Sequence, residues 1–140
     1  MESEFWFGNE NIHDLTKTSE APKKSTVLFN MKMKGKNVPV YAKYSIFQVG
    51  DSANKYTLAI SGFSGNASNV NMARHNGMKF STPDQDNDKH YIDCAALLKS
   101  GWWFNNCYYV HLNGIYNTRE LKWSSMEQPE FVEIKVKRNE

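Results

Sequence analysis

The sequence predicts an α+β domain in which a twisted antiparallel sheet with short helices carries a loop-rich lobe. Three observations predict it. Residues 40–49, Val40-Tyr41-Ala42-Lys43-Tyr44-Ser45-Ile46-Phe47-Gln48-Val49, are rich in β-branched and aromatic side chains, and a second such run, 55–63, follows the turn residues Gly50-Asp51. Residues 131–137, Phe131-Val132-Glu133-Ile134-Lys135-Val136-Lys137, alternate apolar and charged side chains, the period of a strand with one face buried. Between these, from Ser64 onward, Asn, Gly, Ser and Asp dominate and the hydrophobic periodicity fades.

The elements follow in order. Segment 4–18 opens on the aromatic triplet Phe5-Trp6-Phe7. Asn11-Ile12-His13-Asp14-Leu15 then reads as a short helix with Asn9 or Asn11 as its cap. Residues 17–25 carry turn and charge signals and read as an exposed loop. Residues 26–33 alternate, with Val27, Phe29, Met31 and Met33 on one side of a strand, and Lys34-Gly35-Lys36-Asn37 is a turn. The runs 40–49 and 55–63, joined by a short polar turn, make an antiparallel pair. Run 131–137 closes the sheet beside the middle strands. The Asn- and Ser-rich stretch between needs something other than strands and helices to hold it.

Composition narrows the function classes. Hydrophobic residues make up 40% and charged residues 23%, the proportions of a globular chain rather than a disordered tail. A formal net charge of +2 does not build the field that non-specific nucleic-acid binding needs. No apolar run approaches the ~20 residues of a membrane-spanning helix, so membrane insertion is not expected. The start, MESEFWFGNENIHDL, lacks the basic stretch and apolar core of a secretory signal peptide. There are no internal repeats.

Three constellations could carry chemistry. In Asp84-Gln85-Asp86-Asn87-Asp88, alternating carboxylates offer the hard oxygen donors that calcium takes. An EF-hand is excluded, because its glycine and glutamate positions fall on Lys89 and Ala95. The alternative is a solvated acidic turn. Cys94 and Cys107 are flanked by His90 and His111, but the Cys and His spacings of a zinc site are missing. A disulfide closing this loop would stabilise the fold by about 3 kcal/mol. Two reduced buried thiols are the alternative in a reducing compartment. The run Gly101-Trp102-Trp103-Phe104-Asn105-Asn106-Cys107-Tyr108-Tyr109 supplies either stacking surfaces for a ligand or the filling of an irregular core, and Trp102 and Trp103 fit the core better. His13, His75, His90 and His111 have no nucleophile motif near them, so an enzyme is not expected and each histidine reads as a surface or hydrogen-bonding residue. Asn66-Ala67-Ser68 is a glycosylation sequon, with Asn66 as acceptor in a secreted protein.

Taken in order, these pieces resemble the fibrinogen-related domains. Glu4-Phe5-Trp6-Phe7-Gly8-Asn9-Glu10-Asn11-Ile12-His13 is similar to the family's EFWLGNxxIH signature. Tyr41-Ala42-Lys43-Tyr44, Tyr56-Thr57-Leu58 and Gly62-Phe63-Ser64-Gly65-Asn66-Ala67 follow in family order. So do His75-Asn76-Gly77-Met78-Lys79-Phe80-Ser81-Thr82, the Asp84 to Asp88 run, Cys94-Ala95, Gly101-Trp102-Trp103, Cys107 and Leu112-Asn113-Gly114-Ile115-Tyr116. The nearest patterns are those of ficolin-type and tachylectin-type lectins and of the fibrinogen globes. The resemblance implies calcium held by Asp86, Asp88 and the main-chain carbonyls of His90 and Ile92. It implies a Cys94–Cys107 disulfide and a cis peptide at Asn106–Cys107, which in the family shapes a ligand pocket beside the calcium. In the lectins that pocket takes N-acetylated sugars; in fibrinogen globes the equivalent place takes a peptide N-terminus.

The pocket transfers less well than the calcium site. By resemblance the ligand positions are Leu98, Asn106, Cys107 and Tyr108. The acetyl-binding lectins often carry Tyr where Leu98 stands and usually His where Tyr108 stands. The family's Tyr-Ala-Asn-Gly segment has too few residues here, with only Asn117 to Lys122 between Tyr116 and Trp123, and the Tyr-Ser-Leu-Lys segment is missing. The family's N-terminal lobe, with its GGWTVIQRR strand, does not precede the signature. The resemblance thus implies a partial domain over 1–140, with 1–63 and 131–140 as the central sheet region and 64–130 as the calcium and ligand lobe. Its implied function is calcium-dependent binding of acetylated carbohydrate in innate recognition, in an extracellular setting. The alternatives are a protein-interaction domain with a remodelled pocket, or a partial domain without independent activity.

Overall fold

The computed structural model describes residues 5–18, 24–68 and 72–139. Glu4 of the family signature and residues 19–23 of the expected loop lie outside them. The described elements are helix α1 (Asn9–Thr16), strands β1 (Ser25–Met33), β2 (Pro39–Val49) and β3 (Leu58–Gly65), helix α2 (Cys94–Leu98) and strand β4 (Pro129–Arg138), with short 3₁₀ turns at Ser52–Asn54 and Met72–His75. The four strands form one antiparallel sheet in the order β3-β2-β1-β4.

The alternation expected for β1 sets the core. Val27, Phe29, Met31 and Met33 are all buried, as are Val40, Ala42 and Tyr44 of β2. Val27 stands opposite Tyr44 on one side and Val136 on the other, so the closing strand β4 lies beside β1, an inner strand. No helix of the described residues is long and apolar enough to cross a membrane.

Two elements differ from the sequence expectation, each for a local reason. Helix α1 is capped by Gly8, whose φ is 91°, and not by an asparagine. Asn9 is used elsewhere, accepting from the Trp6 indole at 3.2 Å, and the Asn11 amide donates to the Phe7 carbonyl at 2.7 Å. The helix buries Ile12 and Thr16 and is pinned to the end of β2: the Val49 amide donates to the Thr16 hydroxyl, and the His13 ring nitrogen pairs with the Val49 carbonyl. Strand β3 starts at Leu58 rather than Lys55. Asp51 accepts from the Asn54 amide at 2.9 Å and winds a 3₁₀ turn, and Lys55 and Tyr56 leave it with positive φ. Gly65 ends the strand at φ 139°, where a Cβ would collide with the Tyr41 carbonyl, so only glycine fits.

The lobe between β3 and β4 is held by side chains. Trp102, Trp103, Phe104 and Trp123 are buried, which places Trp102 and Trp103 in the core as expected. The Trp103 indole donates to the Tyr56 carbonyl and the Trp123 indole to the Ser68 carbonyl, each at 2.8 Å. His75 is fully buried. Its Nδ1 donates to the Trp103 carbonyl at 2.8 Å, and its Nε2 accepts from the amides of Tyr109 and Val110 at 3.1 and 3.0 Å. Two amides aimed at Nε2 fix the neutral tautomer, and burial pushes the ring pKa down to about 4. His75 thus joins three separate segments of the protein.

Candidate functional site

The acidic run forms a series of tight turns. The Asp88 amide donates to Asp86 Oδ1 at 3.2 Å. Asp88 in turn accepts from the His90 amide on Oδ1 and from the Cys94 amide on Oδ2, at 2.8 and 3.0 Å. Asn87 points the other way and anchors the run, its amide side chain donating to the Phe80 carbonyl and its main-chain amide to the Ser81 hydroxyl. Carboxylate oxygens of Asp86, Asp88 and Asp93 lie within 4.8 Å of one another. Among the described residues none of the three forms a salt bridge. Burial raises the Asp88 carboxyl pKa, and the Asp86 charge beside it raises it further. Converging hard oxygens with no cationic side chain between them are a donor set that fits calcium. Asp93, which the sequence reading passed over, also caps α2 by accepting from the Ala96 amide at 2.9 Å; an Asp immediately before Cys94-Ala95-Ala96 is the signal that could have found it.

The cysteines form a disulfide, Cys94–Cys107, and the Asn106–Cys107 peptide is cis. His90 lies close to both sulfurs, but bonded cysteines offer no thiolate to a metal. His111 is buried and paired with the Ser100 hydroxyl at 2.7 Å; burial pushes its pKa down to about 4, opposed by the Glu120 carbonyl.

Beside the disulfide a cavity of about 480 Å³ is lined by Leu97, Leu98, Lys99, Cys107, Tyr108, Ile115 and Glu120. Three of the four expected ligand positions, Leu98, Cys107 and Tyr108, are brought together there. Asn106 is exposed and does not line it. The Tyr108 hydroxyl donates to Glu120 at 2.7 Å, and Lys122 lies over the Tyr108 ring at 4.9 Å. Burial, with the Glu120 charge adding to it, pushes the Tyr108 hydroxyl up to about 12. The two sites are mechanically continuous: Asp88 holds the Cys94 amide, Cys94 is bonded to Cys107, and Cys107 lines the cavity. The Asn66 side chain is exposed, but it accepts from the Tyr41 amide and donates to the Pro39 carbonyl, which ties the sequon to the start of β2.

The profile of the C-terminal globular domain of the fibrinogen beta and gamma chains matches residues 1–129. The protein belongs to this family. Fibrinogen-like protein A of Apostichopus parvimensis is 36% identical over 98% of this chain and 50% of its own length. Techylectin-5A of Tachypleus tridentatus is 39% identical over 83% of this chain and 38% of its own. This fibrinogen-like chain therefore spans half or less of these two relatives' own length. The fibrinogen-like globe of human ANGPTL2 superposes with a TM-score of 0.85 at 27% identity, covering 98% of this chain and 67% of that one. Lamprey fibrin D-dimer, in complex with the peptide Gly-His-Arg-Pro-amide, superposes at 0.79 and 28% identity, covering 95% of this chain and 50% of that one.

Proposed function

We propose that this protein is a calcium-dependent recognition module whose cavity beside the Cys94–Cys107 disulfide takes an N-acetylated sugar, in innate recognition outside the cell. The observation that carries the reading is the continuity from Asp88 through the disulfide to the cavity wall. Calcium would be held by Asp86, Asp88 and the carbonyls of His90 and Ile92, with Asp93 beside them. The bound ion would neutralise carboxylates that otherwise repel one another. The protein's own residues do the rest. Asp88 orients the start of α2, and α2 presents Leu97 and Leu98 as an apolar wall for an acetyl methyl group. The disulfide supports the extracellular part of the reading, since such bonds persist in oxidising compartments. Kinship with a techylectin supports the sugar.

The test is a calcium titration of thermal unfolding followed by chromatography on N-acetylated resin. Calcium should raise the unfolding temperature, Asp86→Ala should abolish that response, and the resin should hold the protein until a chelator is added. A protein that neither gains stability nor is retained sinks the reading.

One observation favours a protein partner as a second reading. Tyr108 and Glu120 of the cavity are already paired with each other, while Leu97, Ile115 and Tyr116 stand 61%, 51% and 59% exposed nearby. The peptide seated on the lamprey relative is a precedent for such a ligand. Calcium would then stabilise the protein without retention on the resin, and Leu98→Ala or Tyr108→Phe would weaken capture of the partner.

A further inference from the structure

The fold, and not sequence spacing, draws the two cysteines and His90 together. Three residues separate His90 from Cys94 and twelve separate Cys94 from Cys107, yet a ring nitrogen of His90 and both sulfurs lie within 4.8 Å of one another. Contacts other than the disulfide hold the three positions. Asp88 accepts from the His90 amide on Oδ1 and from the Cys94 amide on Oδ2, so one side chain sets the first two. The main chain ties the third to the first: the Lys89 amide donates to the Asn105 carbonyl at 3.0 Å, and the Asn105 amide to the Cys107 carbonyl at 2.7 Å. The Asn105 side chain donates in turn to the Arg74 carbonyl at 2.9 Å. None of these bonds passes through a sulfur atom.

We propose that, once the Cys94–Cys107 bond is reduced, His90, Cys94 and Cys107 hold a zinc ion. The site is separate from the calcium site, to which His90 lends only its main-chain oxygen. An external dithiol supplies the reduction. Two electrons and two protons pass to the Cys94 and Cys107 sulfurs, and the dithiol leaves as its own disulfide. Zinc then takes both thiolates, and the two protons go to solvent. The main-chain framework keeps the three donors in place through both steps. Thiolates with an imidazole select zinc over calcium or magnesium, which prefer oxygen. Zinc stands about 2.3 Å from sulfur and about 2.0 Å from nitrogen, so donors this close reach one ion with small movements, and water fills the fourth position. His90 supplies the lone pair of Nδ1. That nitrogen now accepts from the Ile92 amide at 3.0 Å, and Ile92 is exposed, so the released amide passes to water at little cost.

Cobalt, whose colour reports on the ligands of a zinc site, tests this. The protein is reduced under nitrogen with a phosphine, which takes up oxygen from water as its oxide and leaves no competing thiol. It is then titrated with Co²⁺ in calcium-free buffer. One equivalent should give a thiolate-to-cobalt band in the near ultraviolet and the intense visible bands of a four-coordinate ion, and one equivalent of zinc should remove both. The disulfide form should show neither. His90→Gln keeps both sulfurs and the disulfide, so circular dichroism checks its fold before reduction; His90→Asn replaces it if it fails to fold. Loss of the imidazole should weaken zinc binding at least about tenfold, the least that loss of an outer-shell partner costs. Asp86→Ala, which removes the proposed calcium site, should leave the cobalt spectrum unchanged, so the two sites stand or fall separately. A reduced protein that stays unfolded with zinc present, a cobalt spectrum without the sulfur band, or a folded His90 variant that binds zinc as tightly as the wild type would each overturn the proposal.

Discussion

The sheet and the lobe solve the same problem by different means. In the sheet, three antiparallel pairings satisfy the main chain, and the side chains need only alternate, with Val27, Phe29, Met31 and Met33 buried and their neighbours facing out. In the lobe the described backbone has few ladders, and named side chains replace them. His75 satisfies one carbonyl and two amides, Asn105 the Arg74 carbonyl, Asn113 the Gly101 carbonyl, and Asp88 two amides around the acidic turns. A ladder is redundant, because one lost bond leaves its neighbours in place. A side-chain hub is not, because its loss leaves buried groups unpartnered. The lobe, which carries both the acidic cluster and the cavity, is therefore the part of the molecule that single changes and mild conditions should disturb first.

Acid should produce the largest effect. His75 and His111 both lie in the lobe, and both have folded pKa values of about 4, against an ordinary value near 6.5. Between those values the unfolded state binds more protons than the folded one. The stability they contribute is present in full above pH 6.5 and is lost as pH falls towards 4. Each should contribute about 2–3 kcal/mol to the loss. The unfolding temperature should fall steeply from pH 7 to pH 4.5, and His75→Gln should flatten that fall while starting from lower stability. Hydrogen exchange near pH 5 should rise first at Tyr109 and Val110, whose amides His75 Nε2 holds. A pH-independent unfolding temperature over this window would break the contrast between the regions.

Removing the disulfide tests the same contrast without protons. Cys94→Ser with Cys107→Ser should cost about 3 kcal/mol in chemical denaturation. The exchange protection lost should map to α2 and the segment about residue 107, with β1 and β2 unchanged. Loss of protection in β1 to the same degree would mean that the two regions unfold as one unit.

How much of each region was legible in the sequence follows from what holds it. A strand announces itself by period: the inward set of β1 and the alternation of 131–137 were readable residue by residue. The ends were less so, because Asp51 and the positive φ of Lys55 and Tyr56 take three residues from β3, and Trp6 takes Asn9 from the helix cap. The lobe has no period to read. Its chemistry-bearing residues were found by motif and resemblance, and the cavity does gather Leu98, Cys107 and Tyr108. Two things stayed hidden. The role of His75 depends on contacts with residues 28 to 35 positions away, and that of Asp93 on a one-turn helix cap beside the acidic run. The first leaves no pattern in local composition, and the second shows only as an Asp standing just before a short helical run.

The smallest effect is expected where a side-chain hub sits against the sheet. Thr16 donates to the Ile12 carbonyl at 2.8 Å and accepts from the Val49 amide at 3.0 Å, and it is fully buried. Thr16→Val keeps the shape and removes both bonds. The Ile12 carbonyl still lies within helix α1, so the change strands chiefly the Val49 amide, at about 1–2 kcal/mol. Exchange should rise at Val49 while the Val49–Leu58 pairing and the rest of β2 hold, because the ladder beyond it is intact. A loss as large as that from the disulfide would mean that α1 is a hub of the same order as His75, and the contrast would then lie between side-chain hubs and ladders wherever they occur, rather than between lobe and sheet.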